Sequence, residues 1–76
     1  MALYFFAIRG TVSVDDTDGI DCPDDEAAFR EARLTARMLL EDGRQIGRNR
    51  SNWVIHISAE GGNTVGEVRL GDTRAA

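Results

Sequence analysis

The chain divides by its pattern of apolar and polar positions into strand, helix and strand blocks. Every position from Leu3 to Ile8 is apolar, so a strand here turns Leu3, Phe5 and Ala7 to one side and Tyr4, Phe6 and Ile8 to the other. Both sides need cover. Gly10 interrupts this run, and Thr11 to Val14 reads as a short second strand with Val12 and Val14 on one side. Asp15 to Asp21 is turn-like, with Gly19 suited to a positive φ and Ile20 as its single apolar anchor.

The pattern then changes to a helical period. Pro23 and Asp24 mark the start: the Asp24 side chain can accept from a free backbone N–H, and Asp25 and Glu26 suit the positive end of the helix dipole. Gly43 is the predicted left-handed stop, so the helix should end near Glu41 or Asp42. Ala28, Phe29, Ala32, Ala36, Leu39 and Leu40 fall within an arc of about 120°, wide enough to face a core. Arg30, Arg33 and Arg37 lie beside that stripe, where Glu26 and Glu41 are spaced to pair with Arg30 and Arg37. Leu34 and Met38 lie away from it.

Arg44 to Asn52 reads as a polar loop tethered by Ile46. Trp53 to Ala59 alternates as a strand, with Trp53, Ile55, Ile57 and Ala59 on one side and Val54, His56 and Ser58 on the other. Glu60-Gly61-Gly62-Asn63 is a hairpin turn, Thr64 to Leu70 returns, and Gly71 to Ala76 is expected to fray. The predicted fold is α+β: a small antiparallel β-sheet of three to four strands packed against one α-helix. The order is strand, strand, helix, strand, strand in a single domain over residues 1–70, followed by a flexible tail over 71–76.

This geometry implies a partner. Strands about 4.8 Å apart make a sheet that a helix about 10 Å across covers for only two strands on one side. The second side of the first strand therefore calls for the acidic turn folded over it or for another copy of the chain. Tyr4, Phe6, Ile8, Leu34 and Met38 form the predicted interface of a homodimer.

Composition narrows the setting. At 76 residues the chain has a small core, and Cys22 is its only cysteine, so no disulfide can form within it. A single free thiol, with no signal-peptide pattern and no apolar run long enough to span a bilayer, predicts a cytoplasmic protein with no membrane association. Net charge is −4, and all nine bases are arginine. Seven of the thirteen acids fall between Asp15 and Glu26 with no base among them, which leaves the rest of the chain net positive. That balance disfavours general nucleic-acid affinity but leaves room for a local basic patch.

Three constellations could carry chemistry. Asp16, Asp18 and Gly19 match the middle of a calcium loop, and Asp21 could add a ligand. Val14 stands where the first ligand belongs, so a solvated turn is the preferred reading and weak calcium binding the alternative. Cys22, just before a helix whose dipole can lower a thiol pKa, and His56, the one histidine, are the only nucleophile and base of their types. Nothing in their spacing brings them together. Arg44, Arg48, Arg50 and Trp53 could place arginines on phosphates and an indole on a base, making a nucleic-acid accessory binder the runner-up.

Tyr4-Phe5-Phe6, the Asp18-Gly19-Ile20 turn, Pro23-Asp24 with Ala27-Ala28 behind it, and Trp53 opening a strand before a glycine hairpin follow one another in order. Together they resemble an uncharacterised domain-of-unknown-function family of short alphaproteobacterial proteins, which read Tyr-Phe-Phe, Asp-x-x-Gly and Leu-Pro-Asp before an alanine-rich helix. The resemblance covers roughly residues 3–70. Cys22 stands where an aliphatic residue is expected, which implies a core substitute rather than a functional thiol. The family has no established activity, so the resemblance implies a fold and supplies no catalytic residue. The sequence-level expectation is a non-enzymatic, self-associating protein–protein interaction module with no cofactor, no metal and an unknown protein partner.

Overall fold

The computed structural model describes residues 2–73. It contains five strands and one α-helix in the order β1 (Ala2–Arg9), β2 (Ser13–Val14), β3 (Ile20–Cys22), α1 (Asp25–Gln45), β4 (Val54–Ala59) and β5 (Thr64–Arg69). A 3-10 turn over Leu70–Thr73 follows. The sheet is antiparallel throughout, in the order β2-β1-β4-β5, with β3 sharing the β1 edge that β2 occupies. Mixed α+β architecture with strands on both sides of the helix in sequence is as the pattern predicts.

The helix packs on one side of the sheet against β4, β5 and the 3-10 turn. Ala28, Ala32 and Ala36 are fully buried there with Ile55, Ile57 and Leu70. Small residues on the helix let it approach the large β-branched side chains of the central strand closely. Phe29 and Leu39, with Leu40 the largest members of the predicted stripe, are only half-buried and flank this core. Gly66 on β5 makes room for Phe29, because a Cβ there would stand 2.5 Å from the ring.

Asp24 caps the helix, its carboxylate accepting from the Ala27 N–H at 2.8 Å. The other end lies later than Gly43 suggests. Arg48 N–H donates to the Gly43 carbonyl at 2.7 Å and Gly47 N–H to the Arg44 carbonyl at 3.1 Å, with Gly47 at φ 73. This is the paired-bond stop in which a left-handed glycine follows the cap, so Gly47 ends the helix. Gly43 is instead buried within it, where the aliphatic part of Arg50 would meet a Cβ at 2.8 Å. A glycine chosen for close approach looks the same in sequence as one chosen for positive φ.

The segment read as a turn hides a strand. Ile20 pairs with Tyr4, Asp21 with Leu3 and Cys22 with Ala2, while β2 pairs only at Ile8 and Arg9. Phe6 falls in the gap between these two short ladders. There its backbone N–H donates to the Asp16 carboxylate at 3.2 Å. The predicted free tail is also corrected for 71–73: Leu70 is fully buried and Gly71 N–H donates to the Ser51 carbonyl at 2.9 Å. The rest of that predicted tail lies outside the described residues.

A candidate interaction surface and the fate of the predicted sites

Directly opposed residues in antiparallel strands share a side of the sheet, so the pairings Tyr4–Ala59, Phe6–Ile57 and Ile8–Ile55 fix which side faces the helix. Tyr4, Phe6 and Ile8 are on it. Tyr4 is 5% exposed, and its hydroxyl donates to Asp25 at the start of α1 at 2.7 Å. As an interface residue Tyr4 is therefore corrected: its ring is core. Phe6 and Ile8 differ, because α1 lies over β4 and β5 and leaves them only half-buried.

Around that uncovered strip the structure gathers apolar side chains from three elements. Val14 opposes Ile8 and Ile20 opposes Tyr4, so both edge-strand residues share the helix side of the sheet, and both are exposed. Leu34 is 51% exposed and Met38, one helical turn on, 68%. Ile20 and Leu34 line one cleft of about 240 Å³ with Cys22, Ala27, Arg30 and Glu31. Val14, Ile20, Phe6 and Ile8 thus form an apolar shelf beside the helix, and Leu34, which meets Ile20 in the cleft, and Met38 one turn on extend it onto the outer helix face. Sequence reasoning named four of these six; Val14 and Ile20 depended on a pairing that no local pattern reveals.

The other side of the sheet carries Leu3, Phe5, Ala7, Val54, His56 and Ser58, all half-buried. Part of its cover is the acidic loop. A Cβ on Gly19 would lie 2.9 Å from the Phe5 ring, so this glycine, at φ 78, rests directly on it. Asp16 holds the loop in place, accepting from Gly19 N–H at 3.1 Å and Asp18 N–H at 3.2 Å as well as from Phe6. Burial opposes its charge, but these three donors outweigh that cost and keep its carboxyl below the ordinary carboxylate value. Asp16 is thereby an organiser of the backbone. Among the described residues no three acidic, histidine or cysteine side chains converge as a metal site; Asp18 and Asp21 are exposed.

Cys22 and His56 are on opposite sides of the sheet. Cys22 pairs with Ala2 on the helix side and is buried, and burial, followed by the nearby charges of Glu31, Asp21 and Asp24, pushes its thiol pKa up. The helix dipole does not prevail. A protonated, enclosed thiol is a poor nucleophile. His56 pairs with Ala7 and meets Glu67 across the strands at 3.4 Å.

The basic segment is divided between packing and solvent. Arg44 lies on the helix and pairs with Glu41 at 3.2 Å, which displaces the predicted Glu41–Arg37 contact. Arg50 donates to the Leu39 carbonyl at 3.1 Å and lies 4.7 Å from the centre of the Trp53 ring. Trp53 also packs on Gly10, where a Cβ would come within 2.3 Å of the indole. Arg48 is exposed. The four residues do not form a free row of cations beside a free ring.

Among the described residues no helix is long and apolar enough to cross a membrane. Neither curated proteins nor solved structures yield a match to this chain. A family model does, over residues 3–71, nearly the whole length, and by it the chain belongs to the family described as Domain of unknown function (DUF6894).

Proposed function

We propose that this protein is a non-enzymatic, self-associating interaction module that meets a second copy of itself through the apolar shelf beside α1. The observation carrying this reading is the narrow cover of the sheet: one helix lies over β4 and β5, and Phe6, Ile8, Val14, Ile20, Leu34 and Met38 are left at least partly open to water. A chain of 76 residues has little core of its own and gains proportionately from burying such a surface. A second copy supplies a matching apolar surface at no cost in new sequence, and two-fold pairing is the commonest form of assembly.

Light scattering after size exclusion tests this at high micromolar concentration. The wild-type chain should run above monomer mass, and Met38→Glu should lower that mass while leaving the circular dichroism spectrum unchanged. A wild-type chain that is strictly monomeric, or one whose mass is indifferent to both Met38→Glu and Leu34→Glu, rules the reading out.

A further inference from the structure

The two edges of the sheet are unequal. On one side β2 and β3 contribute two and three residues with the acidic loop between them, so little continuous backbone is open for pairing. On the other, β5 runs six residues, and among the described residues nothing pairs with its outer edge. Leu70 N–H donates to the Trp53 carbonyl at 2.9 Å, in register with the Val54–Arg69 and Ile55–Val68 pairs. Inward and outward groups alternate in an antiparallel ladder, so Val68 and Gly66 bond towards β4. The N–H and C=O groups of Glu67 and Arg69 point outward.

We propose that β5 pairs antiparallel with β5 of a second copy about a two-fold axis at Val68. That register is the one in which the outward groups of Glu67 meet those of Arg69 from the other chain, giving four backbone hydrogen bonds. It also sets each Glu67 side chain directly across from an Arg69 of the opposite charge, twice over. Centring on Glu67 instead would oppose two carboxylates. Both side chains are exposed, and Arg69 has no ion-pair partner among the described residues. The ends of the contact are set as well: Val65 is a bulge with no partner on β4, and the chain leaves the strand at Leu70. Bulged and charged edges resist indiscriminate pairing, so a short self-complementary stretch admits a partner in one register only. This contact is separate from the apolar shelf, and a chain using both assembles beyond a dimer.

The test uses the full chain carrying Met38→Glu, which takes the shelf out of play. Sedimentation velocity at high micromolar concentration should still show association. Adding Glu67→Arg or Arg69→Glu sets like charges opposite each other in both pairs and should weaken that association by about tenfold or more. Mixing the two single variants restores opposite charges across the pair, so the mixture should associate as heterodimers where neither variant does alone. The double swap Glu67→Arg with Arg69→Glu should also recover. Loss of a folded spectrum would be visible in each variant separately, and recovery in the mixture cannot come from a damaged strand. Association indifferent to the charge reversals, or a mixture no heavier than its components, overturns the proposal. A Met38→Glu chain that stays monomeric in every arm overturns it too and leaves the edge to an extended segment of another protein. Failure of the shelf reading shows separately, as Met38→Glu and Leu34→Glu masses both equal to wild type.

Discussion

Tyr4 shows how one side chain links the layers. Its ring fills the core beneath the start of α1 while its hydroxyl donates to Asp25, so the residue is packed and hydrogen-bonded at once. That bond, with burial and the carboxylates nearby, pushes the phenol pKa up from 10.0 to about 12. Because the folded value is the higher one, the native state favours the protonated phenol. The stabilising contribution is complete below pH 10 and is lost as pH rises through that value towards about 12. Ultraviolet titration should place the single tyrosine's ionisation above that of a free phenol, and unfolding midpoints in urea should fall over this alkaline range. In Tyr4→Phe the alkaline fall should be smaller. An ordinary tyrosine titration in the folded chain would remove this account. The sequence placed Tyr4 in a strand with two apolar sides, but the side that would be core depended on which one the helix chose.

At the scale of elements, the acidic loop is the part whose role changed most between sequence and structure. Seven acids in a row of twelve residues read as solvated, and most are; Asp16 is the exception. It stands in for a missing strand, accepting the Phe6 N–H at the gap between the β2 and β3 ladders. Replacing it with alanine leaves three backbone donors without their acceptor, two of them part-buried. Asp16→Ala should therefore cost about 1 to 3 kcal/mol in urea unfolding and speed hydrogen exchange at Phe6 and Gly19. Asp18→Ala, which loses no side-chain bond among the described residues, should be near neutral. The same loss in the wild-type chain should begin as pH falls through the ordinary aspartate range, since a lowered folded pKa gives stability that is complete only above it. The helix offers the opposite lesson: Asp24, the acidic first turn and the alanine stripe were legible because each is a local signal. Its end was misplaced because Gly43 answers to Arg50, seven residues away, and not to the helix itself.

For the whole molecule the governing quantity is cover. The sheet and helix form a slab 37 × 27 × 16 Å, two layers thick, with one layer a single helix. Such a chain buries what the helix can reach, the loop over Phe5 adds cover on the other side, and the proposed second copy at the shelf would add more. Association of the folded state alone raises apparent stability by mass action, so the thermal midpoint should climb as protein concentration is raised from low to high micromolar. The climb should be smaller in Met38→Glu. A midpoint independent of concentration would argue that the fold stands by itself.

Local physics and tertiary pairing divide this protein between them. The order of elements, the capped start of the helix, its alanine stripe, the glycine hairpin and the surplus of Leu34 and Met38 were all determined by the sequence, because periodicity, capping and positive φ act over a few residues. Ile20–Cys22 as a strand, Gly43 as a contact, the Asp16 acceptor and the engagement of Arg50 with Trp53 were decided only in three dimensions. The first three depend on a partner at least seven residues away in the chain, and Arg50 is held as well by the Leu39 carbonyl, eleven residues back. A three-residue strand has no period to read, and a side chain that satisfies a distant backbone group looks in sequence like any other solvated acid or base.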